Sequence, residues 1–170
     1  HDIGFRLDSG TYFRPYINDN ASHKTKVVAL GPAPESMKLD GQRAFSGCIN
    51  LEAFDATVDV TGGTDFWQAW RDCNSLTSFP FIDTSSVTSF STTWSNCSSL
   101  TSFPLIDTSS GTNFSSAWNN CSNLTSFPLI DTSSGTNFSN AWRYCSSLTS
   151  FPPIDTSSGT NFNQTWRDNS

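Results

Sequence analysis

The sequence predicts an α/β solenoid, a rod in which similar coils of chain stack along one axis. Three observations lead to this prediction. A short motif returns with a fixed period, each copy joins a strand-like segment to a helix-like one, and bulky apolar residues recur at the same place in every copy. Tryptophan, for example, steps by 24 residues through Trp70, Trp94, Trp118, Trp142 and Trp166.

Residues 1–26 lie outside the repeat and are predicted to form an amino-terminal cap. The segments GFRLD (4–8) and TYFRPYI (11–17) have alternating apolar residues, and the Ser-Gly pair between them favours a turn. These features are typical of a β-hairpin. Because the first coil of a solenoid needs a cover over its apolar edge, we expect the hairpin to lie on it.

Residues 27–170 are predicted to form about six coils, called rungs below, of 24–25 residues each. The first rungs are less regular than the later ones. Phe45 takes the tryptophan position and Cys48 the cysteine position, while Phe54 continues a strand position. The six rungs begin at Val27, Leu51, Leu76, Leu100, Leu124 and Leu148.

Each rung is predicted to contain a short parallel strand followed by a short helical turn. In the segment LTSFPL, the first, fourth and sixth places are apolar, which is the L-x-x-L-x-L pattern of a leucine-rich repeat. In TNFSSAWNNC, Phe114, Trp118 and Cys121 have the i, i+4, i+7 spacing of one helical face. We expect Thr112 to cap this helix and Gly111 to adopt a positive φ in the turn before it.

The cysteines are predicted to be small buried thiols, since they recur beside the tryptophan and free cysteine packs as a small apolar residue. A disulfide between neighbouring rungs remains an alternative, because the expected spacing permits it. A metal site is disfavoured, since the sequence has no C-x-x-C pair. The cysteine column consists of Cys48, Cys73, Cys97, Cys121 and Cys145.

An aspartate follows the strand segment in each of the regular rungs and precedes Thr-Ser every time. Such an aspartate can accept a hydrogen bond from the backbone two residues on, so we predict an Asx-turn at each position. A ladder of calcium ligands is the alternative interpretation. The residues concerned are Asp83, Asp107, Asp131 and Asp155.

The string W/F-x-x-C-x-x-L-x-x-F followed by DTS resembles the BspA-like leucine-rich repeats of surface proteins from bacteria, protists and some phages. The resemblance covers roughly residues 27–170. It implies a non-enzymatic solenoid that is displayed on a surface and used for adhesion or recognition. The chain departs from the family in having tryptophan where phenylalanine is commoner, and Phe90 or Phe114 where methionine is commoner. No motif residue carries a defined ligand site over to this chain.

Composition excludes several classes of function. The 170 residues carry a net charge of −6, and no Lys or Arg occurs from 72 through 142, so the basic face that nucleic acid requires is absent. No apolar run reaches the roughly 18 residues of a membrane span. Both histidines lie within the first 23 residues, away from the repeats, which disfavours a Ser-His-Asp site. The sequence therefore predicts neither enzyme activity nor a cofactor.

Two outward faces are candidates for ligand binding. The threonine face repeats the same residues in each rung, which suits a repeating ligand such as a polysaccharide or an ice lattice, although recent duplication without a ligand explains it equally well. The variable face suits a selective partner, because Arg and Tyr are enriched in binding hot spots, although free drift is the alternative. The candidates are Thr77, Thr101, Thr125 and Thr149 on the threonine face, and Arg71, Asp72, Arg143, Tyr144, Arg167 and Asp168 on the variable face.

The predicted function is a non-catalytic adhesion or recognition module that binds carbohydrate or a surface protein. We expect it to be extracellular, on a cell surface or virion. A filament or phage-fibre subunit is the second interpretation, because Phe162 and Trp166 have no following rung and head-to-tail contact with the next copy would bury them. Binding to an ice or mineral lattice is the third.

Overall fold

The computed structural model describes residues 6–7, 13–14, 29–30, 41–54 and 62–169. β1 and β2 pair antiparallel with Leu7 opposite Phe13, which is the pairing expected of the predicted hairpin. How this pair lies relative to the first rung falls outside the described residues. The strands are β1 (Arg6–Leu7), β2 (Phe13–Arg14), β3 (Ala29–Leu30) and β4 (Ala53–Phe54).

The repeat period appears directly in the backbone pairing. β3 and β4 are parallel, with Ala29 opposite Ala53 and Leu30 opposite Phe54, so residues 24 positions apart are neighbours. Within 62–169 the same spacing continues as isolated parallel bridges, and each rung therefore stacks on the one before it. The bridges join Asp65, Ser89, Asn113, Asn137 and Asn161 in succession.

The strand predicted in LTSFPL does not form in the regular rungs. One backbone bond per step joins neighbouring copies, from the Thr101 amide to the Thr77 carbonyl at 3.2 Å and from the Thr125 amide to the Thr101 carbonyl at 3.1 Å. The proline at the fifth place, such as Pro104, has no N–H to donate and restricts the residue before it. Proline therefore interrupts the ladder that a longer strand would need.

The helical turn predicted for the second half of each rung is replaced by a run of β-turn-like bends, and residues 62–169 contain no helix. Alternate amides in this run point in different directions. An α-helix would use its amides within the rung, whereas here half of them bond to the next rung and so tie neighbours together. In one rung the amides of Phe114, Ser116, Trp118 and Asn120 donate to the next rung, while those of Ala117, Asn119 and Cys121 donate three residues back.

Two residues in each run of turns have a positive φ, such as Ser116 (55°) and Asn120 (59°). Left-handed residues between right-handed ones keep the run from closing into a helix. The conformation is costly for most side chains and least so for Asn and Asp. Accordingly the second of the two positions is occupied mostly by these types, at Asp72, Asn96, Asn120 and Asp168.

Like side chains lie on one another along the axis of the stack. The ring centroids of Trp94 and Trp118 are 5.3 Å apart with an interplanar angle of 12°, and those of Trp118 and Trp142 are 5.2 Å apart at 6°. Phe114 and Phe138 stack in the same way at 5.4 Å. These rings are fully buried together with the cysteine and leucine columns, which confirms the core predicted from the repeat.

A second phenylalanine column packs edge-on against the tryptophans. Phe103 lies 4.8 Å from Trp94 and 5.3 Å from Trp118, at angles of 75° and 84°, so that one ring contacts two rungs. The buried indole N–H groups of Trp94 and Trp118 have no hydrogen-bond acceptor among the described residues. The aromatic contacts must therefore offset the desolvation of these groups as well.

Gly111 does not have the positive φ predicted for it. The position needs glycine for space, because a Cβ there would lie 2.6 Å from Cζ of Phe114 and 3.0 Å from Cε2 of Phe90. Val87 stands at the same place one rung earlier, and there the Phe66 ring lies at 81° to Phe90 instead of stacking on it. Glycine therefore allows the phenylalanine column to stack flat, as Phe90 and Phe114 do at 7°.

Thr112 does not cap a helix as predicted. Its hydroxyl donates instead to the Thr88 carbonyl of the previous rung at 3.1 Å. The local capping bond is made by the next residue, since the side-chain oxygen of Asn113 accepts from the Ser115 amide at 3.0 Å. An Asx-turn thus begins the run of turns.

Replacing Trp118 with alanine is expected to lower the free energy of unfolding by about 3–5 kcal/mol, because the lost ring leaves a cavity between two rungs. Trp166 is the matched control, since it is 42% exposed and stacks on no tryptophan but Trp142. Trp166→Ala should cost markedly less. Urea unfolding followed by circular dichroism measures both variants, and equal losses would contradict the stacked core.

Candidate binding surfaces

The threonine face lies on the surface, and its four candidate residues are exposed. The hydroxyl of Thr101 donates to the Thr77 carbonyl at 3.3 Å, and that of Thr125 donates to the Thr101 carbonyl at 3.2 Å. These hydroxyl protons are used within the protein, so the threonines present oxygen acceptors to a ligand. Thr149 extends the same exposed column.

A row of exposed apolar side chains runs along the stack, at a position that the apolar pattern of the sequence assigns to the core. The sixth place of LTSFPL belongs to the apolar pattern of the predicted strand, which favours an inward side chain, but Phe81, Leu105 and Leu129 are 65%, 59% and 58% exposed. The seventh residue, isoleucine, is buried instead in the three rungs concerned. With the exposed Pro153 of the last rung, these three residues form what we call the apolar ladder.

In the rungs of Leu129 and Pro153, a tight turn accompanies the exchange of positions. The Ile130 amide donates to the Pro128 carbonyl at 3.0 Å, and the Ile154 amide donates to the Pro152 carbonyl at 2.9 Å. Bonds between residues two apart define γ-turns. The γ-turn places Leu129 at its outer tip and returns Ile130 to the core.

The sequence contained a signal for this arrangement. The seventh column is isoleucine in every regular rung, whereas the sixth column varies. A packed column tolerates variation in volume less well than an exposed one. The variable column consists of Phe81, Leu105, Leu129 and Pro153.

The aspartates form Asx-turns, as predicted. Oδ1 of Asp107 accepts from the Ser109 amide at 3.0 Å, and Oδ1 of Asp131 accepts from the Ser133 amide at 3.0 Å. Hydrogen bonds from the Ser109 amide and hydroxyl lower the pKa of the Asp107 carboxyl. The column of exposed carboxylates, here called the acidic ladder, consists of Asp83, Asp107, Asp131 and Asp155.

The variable face divides into two parts. At one end, Nε of Arg71 lies 3.3 Å from Oδ2 of Asp72. Asp72 begins a ladder of polar side chains, because Nδ2 of Asn96 donates to it at 2.6 Å and Nδ2 of Asn120 donates to Asn96 at 3.1 Å. Tyr144 occupies the next position of the same column, 24 residues after Asn120.

The structure brings the other four candidates of the variable face together. The Arg143 guanidinium lies 4.3 Å from the ring centroid of Tyr144, and one of its Nη atoms donates to the tyrosine hydroxyl. Nε of Arg143 and Nε of Arg167 each lie 3.5 Å from Oδ2 of Asp168. The cluster is separated from Arg71 and Asp72, since three steps of about 5 Å lie between positions 72 and 144 of the column.

The five cysteines are free and buried, as predicted. The thiol of Cys121 donates to the Trp94 carbonyl at 3.2 Å, and the thiol of Cys145 donates to the Trp118 carbonyl at the same distance. Burial raises the pKa of Cys145 to about 12, which keeps the thiol protonated. Among the described residues, no three His, Cys, Asp or Glu side chains come together to hold a metal ion.

Comparison with known proteins adds no further information: no family model, curated protein or solved structure matches the chain. The resemblance to BspA-like repeats and the leucine-rich-repeat class therefore stay predictions. No helix in the described part of the chain is able to cross a membrane.

Acid should destabilise the stack through the acidic ladder. The pKa values of Asp107, Asp131 and Asp155 are lowered by hydrogen bonds from serine, so these carboxylates stabilise the fold at neutral pH and lose that effect as the pH falls below about 4. Urea midpoints at pH 7 and pH 3 measure the loss. The double variant Asp107→Asn with Asp131→Asn keeps the Asx-turns but removes two titrating groups. It should therefore reduce the difference between the urea midpoints at pH 7 and pH 3. An unchanged difference would show that the acidic ladder is not the cause of the acid sensitivity.

Proposed function

We propose that the chain is a leucine-rich-repeat solenoid that serves as a non-catalytic adhesion or recognition module, extracellular on a cell surface or virion. Its ligand is a carbohydrate or a protein on a cell or host surface. The observation that carries the proposal is the apolar ladder, in which Phe81, Leu105 and Leu129 are each more than half exposed. Contiguous exposed apolar side chains within a polar rim mark interaction sites.

The surroundings of the apolar ladder support recognition as well. Its rim is polar, with exposed residues such as Thr101, Ser102 and Asp107 in each rung. Backbone bonds hold successive rungs at a fixed step, so the outward side chains are ordered before a ligand arrives. A pre-organised surface binds with a smaller loss of conformational entropy.

The cluster of Arg143, Tyr144, Arg167 and Asp168 is the competing surface for the same function. Its arginines pair with Asp168 and one stacks on Tyr144, which favours a fixed arrangement of donors. Arg and Tyr are residue types that often dominate binding energy. Variants on the two surfaces therefore decide which of them binds.

Binding to arrays of glycans and host surface proteins tests the proposal. Leu105→Ser with Leu129→Ser should abolish the signal, because it removes two adjacent members of the apolar ladder, while Arg143→Ala with Arg167→Ala should leave it unchanged. Circular dichroism confirms that both variants fold. No signal from the unaltered chain on any ligand would overturn the proposed function.

The last described rung favours a second candidate function, a subunit of a head-to-tail filament. Phe162 and Trp166 are 39% and 42% exposed. Unpaired backbone donors at the edge of a ladder act as a template for another chain, and a further repeat would use the same donors. In this rung, the amides of Phe162, Gln164, Trp166 and Asp168 make no backbone hydrogen bond to another described residue.

If the chain forms head-to-tail filaments, self-association of the unaltered chain should increase with protein concentration. Light scattering after size-exclusion chromatography should show a rising mass, and Phe162→Ser with Trp166→Ser should suppress it. Leu105→Ser, on the side of the stack, is the control that should not. A monodisperse monomer at high concentration would exclude this second candidate.

A further inference from the structure

We infer that the apolar ladder and the acidic ladder together form a docking surface for a cationic amphipathic α-helix of a partner protein, laid along the axis of the stack. The inference rests on the proposed recognition function and names the class of ligand. Its two components are adjacent in every regular rung, as Phe81 and Asp83 illustrate.

The two ladders lie side by side because exposed and buried residues alternate along this part of the chain. Phe81 and Asp83 are exposed, whereas Ile82 and Thr84 are buried. Residues two apart in an extended segment project to the same side and lie about 7 Å from each other. The surface therefore has a row of apolar groups next to a parallel row of carboxylates.

No salt bridge joins Asp107, Asp131 or Asp155 to another described residue. Hydrogen bonds from serine lower the pKa of Asp107, Asp131 and Asp155, so the carboxylates are ionised at neutral pH although they repel one another. Each carboxylate is exposed, and no Lys or Arg occurs in residues 72–142. Charge complementarity consequently requires a cationic ligand.

The repeat distance favours a helix over an extended peptide. Between the four regular rungs, the stacked tryptophan rings are 5.2–6.0 Å apart and the rings of the second phenylalanine column are 5.6–5.8 Å apart. An α-helix presents one side chain to a given face about every 5.4 Å, whereas an extended strand does so about every 6.7 Å. A helix laid along the stack therefore stays in step with the rungs.

The width of the surface fits a helix too. Side chains about 100° apart around a helix are separated by roughly 8 Å at its outer radius, close to the distance between the ladders. A leucine row on such a helix would contact Leu105 and Leu129 while a lysine row reaches Asp107 and Asp131. The four rungs from Phe81 to Pro153 span about three helical turns.

Charge disfavours the other occupants of an apolar face. A second copy of the chain would bring acidic ladder against acidic ladder, and the net charge of −6 opposes that approach. An anionic membrane surface would be repelled for the same reason. A neutral polysaccharide would leave the carboxylates without counter-charges.

Fluorescence anisotropy with a designed peptide tests the inference. The labelled peptide is a helix of four turns with leucine on one face and lysine on the neighbouring face. It should bind the intact chain, and Asp107→Asn with Asp131→Asn and Asp155→Asn should weaken binding about tenfold because three exposed ion pairs are lost. Asparagine keeps the Asx-turn, so the variant isolates charge from folding.

Matched control variants and peptides test whether the lysine peptide binds at the apolar and acidic ladders. Asp168→Asn, on the variable face, should leave peptide affinity unchanged, and Leu105→Ser with Leu129→Ser should abolish it. A peptide with glutamate in place of lysine, and one with the same composition in scrambled order, should not bind. Equal binding of the lysine and scrambled peptides, or full affinity in the Asp→Asn variant, would overturn the inference.

Comparing array ligands with the lysine peptide on the unaltered chain distinguishes failure of this inference from failure of the proposed function. If glycans or host proteins bind the intact chain but the lysine peptide does not, the recognition function stands and the helical ligand is wrong. Binding to anionic vesicles or to neutral polysaccharide in preference to the peptide overturns the inference in the same way. If the unaltered chain binds neither the peptide nor any array ligand, both are overturned.

Discussion

Stacking of like aromatic rings along one axis is the constraint on which the rest of the structure depends. Trp94, Trp118 and Trp142 lie nearly parallel at 5.2–5.3 Å, so each rung has to return to the same path before the next begins. The flat phenylalanine column adds the requirement for Gly111, which leaves room for Phe114. A side chain of wrong volume in either column disturbs two rungs at once.

Backbone hydrogen bonding meets this constraint without helices or long strands in the described rungs. Residues with positive φ, such as Ser116 and Asn120, let alternate amides serve the rung itself and the next one. The backbone step thereby places the stacked tryptophan and phenylalanine rings 5.2–5.4 Å apart, between centroids, in the central rungs. Surface side chains repeat with the same distance from rung to rung, so the threonine face, the apolar ladder and the acidic ladder are in register with one another.

The core was predictable from the sequence because burial selects residue types that recur visibly. The columns of Trp118, Phe114, Cys121 and Leu124 were identified from spacing alone, as was the Asx-turn at Asp107. The exposed sixth column and the run of turns were not. Apolar spacing of i, i+4, i+7 fits both a helix and a run of turns, and only φ at the intervening polar residues distinguishes them.

The candidate surfaces were predictable in part. Exposure of the threonine face followed from the pattern, but the grouping of Arg143 with Tyr144, Arg167 and Asp168 depended on side-chain directions that spacing does not contain. The apolar ladder was missed because the inward position lies one residue later than the strand pattern indicates, a shift that coincides with a γ-turn at Leu129 and Pro153. The constant isoleucine of the seventh column, at Ile82, Ile106, Ile130 and Ile154, was the signal that marked the shift.

The near-identity of the interfaces between regular rungs has a consequence for how such a chain changes over generations. Because a rung contacts only the rungs beside it, gain or loss of a whole 24-residue unit by unequal recombination leaves the surviving interfaces intact. Length becomes an adjustable property that does not threaten folding. Under the proposed recognition function, the number of equivalent binding positions, and hence the avidity for an elongated ligand, rises or falls with the number of units.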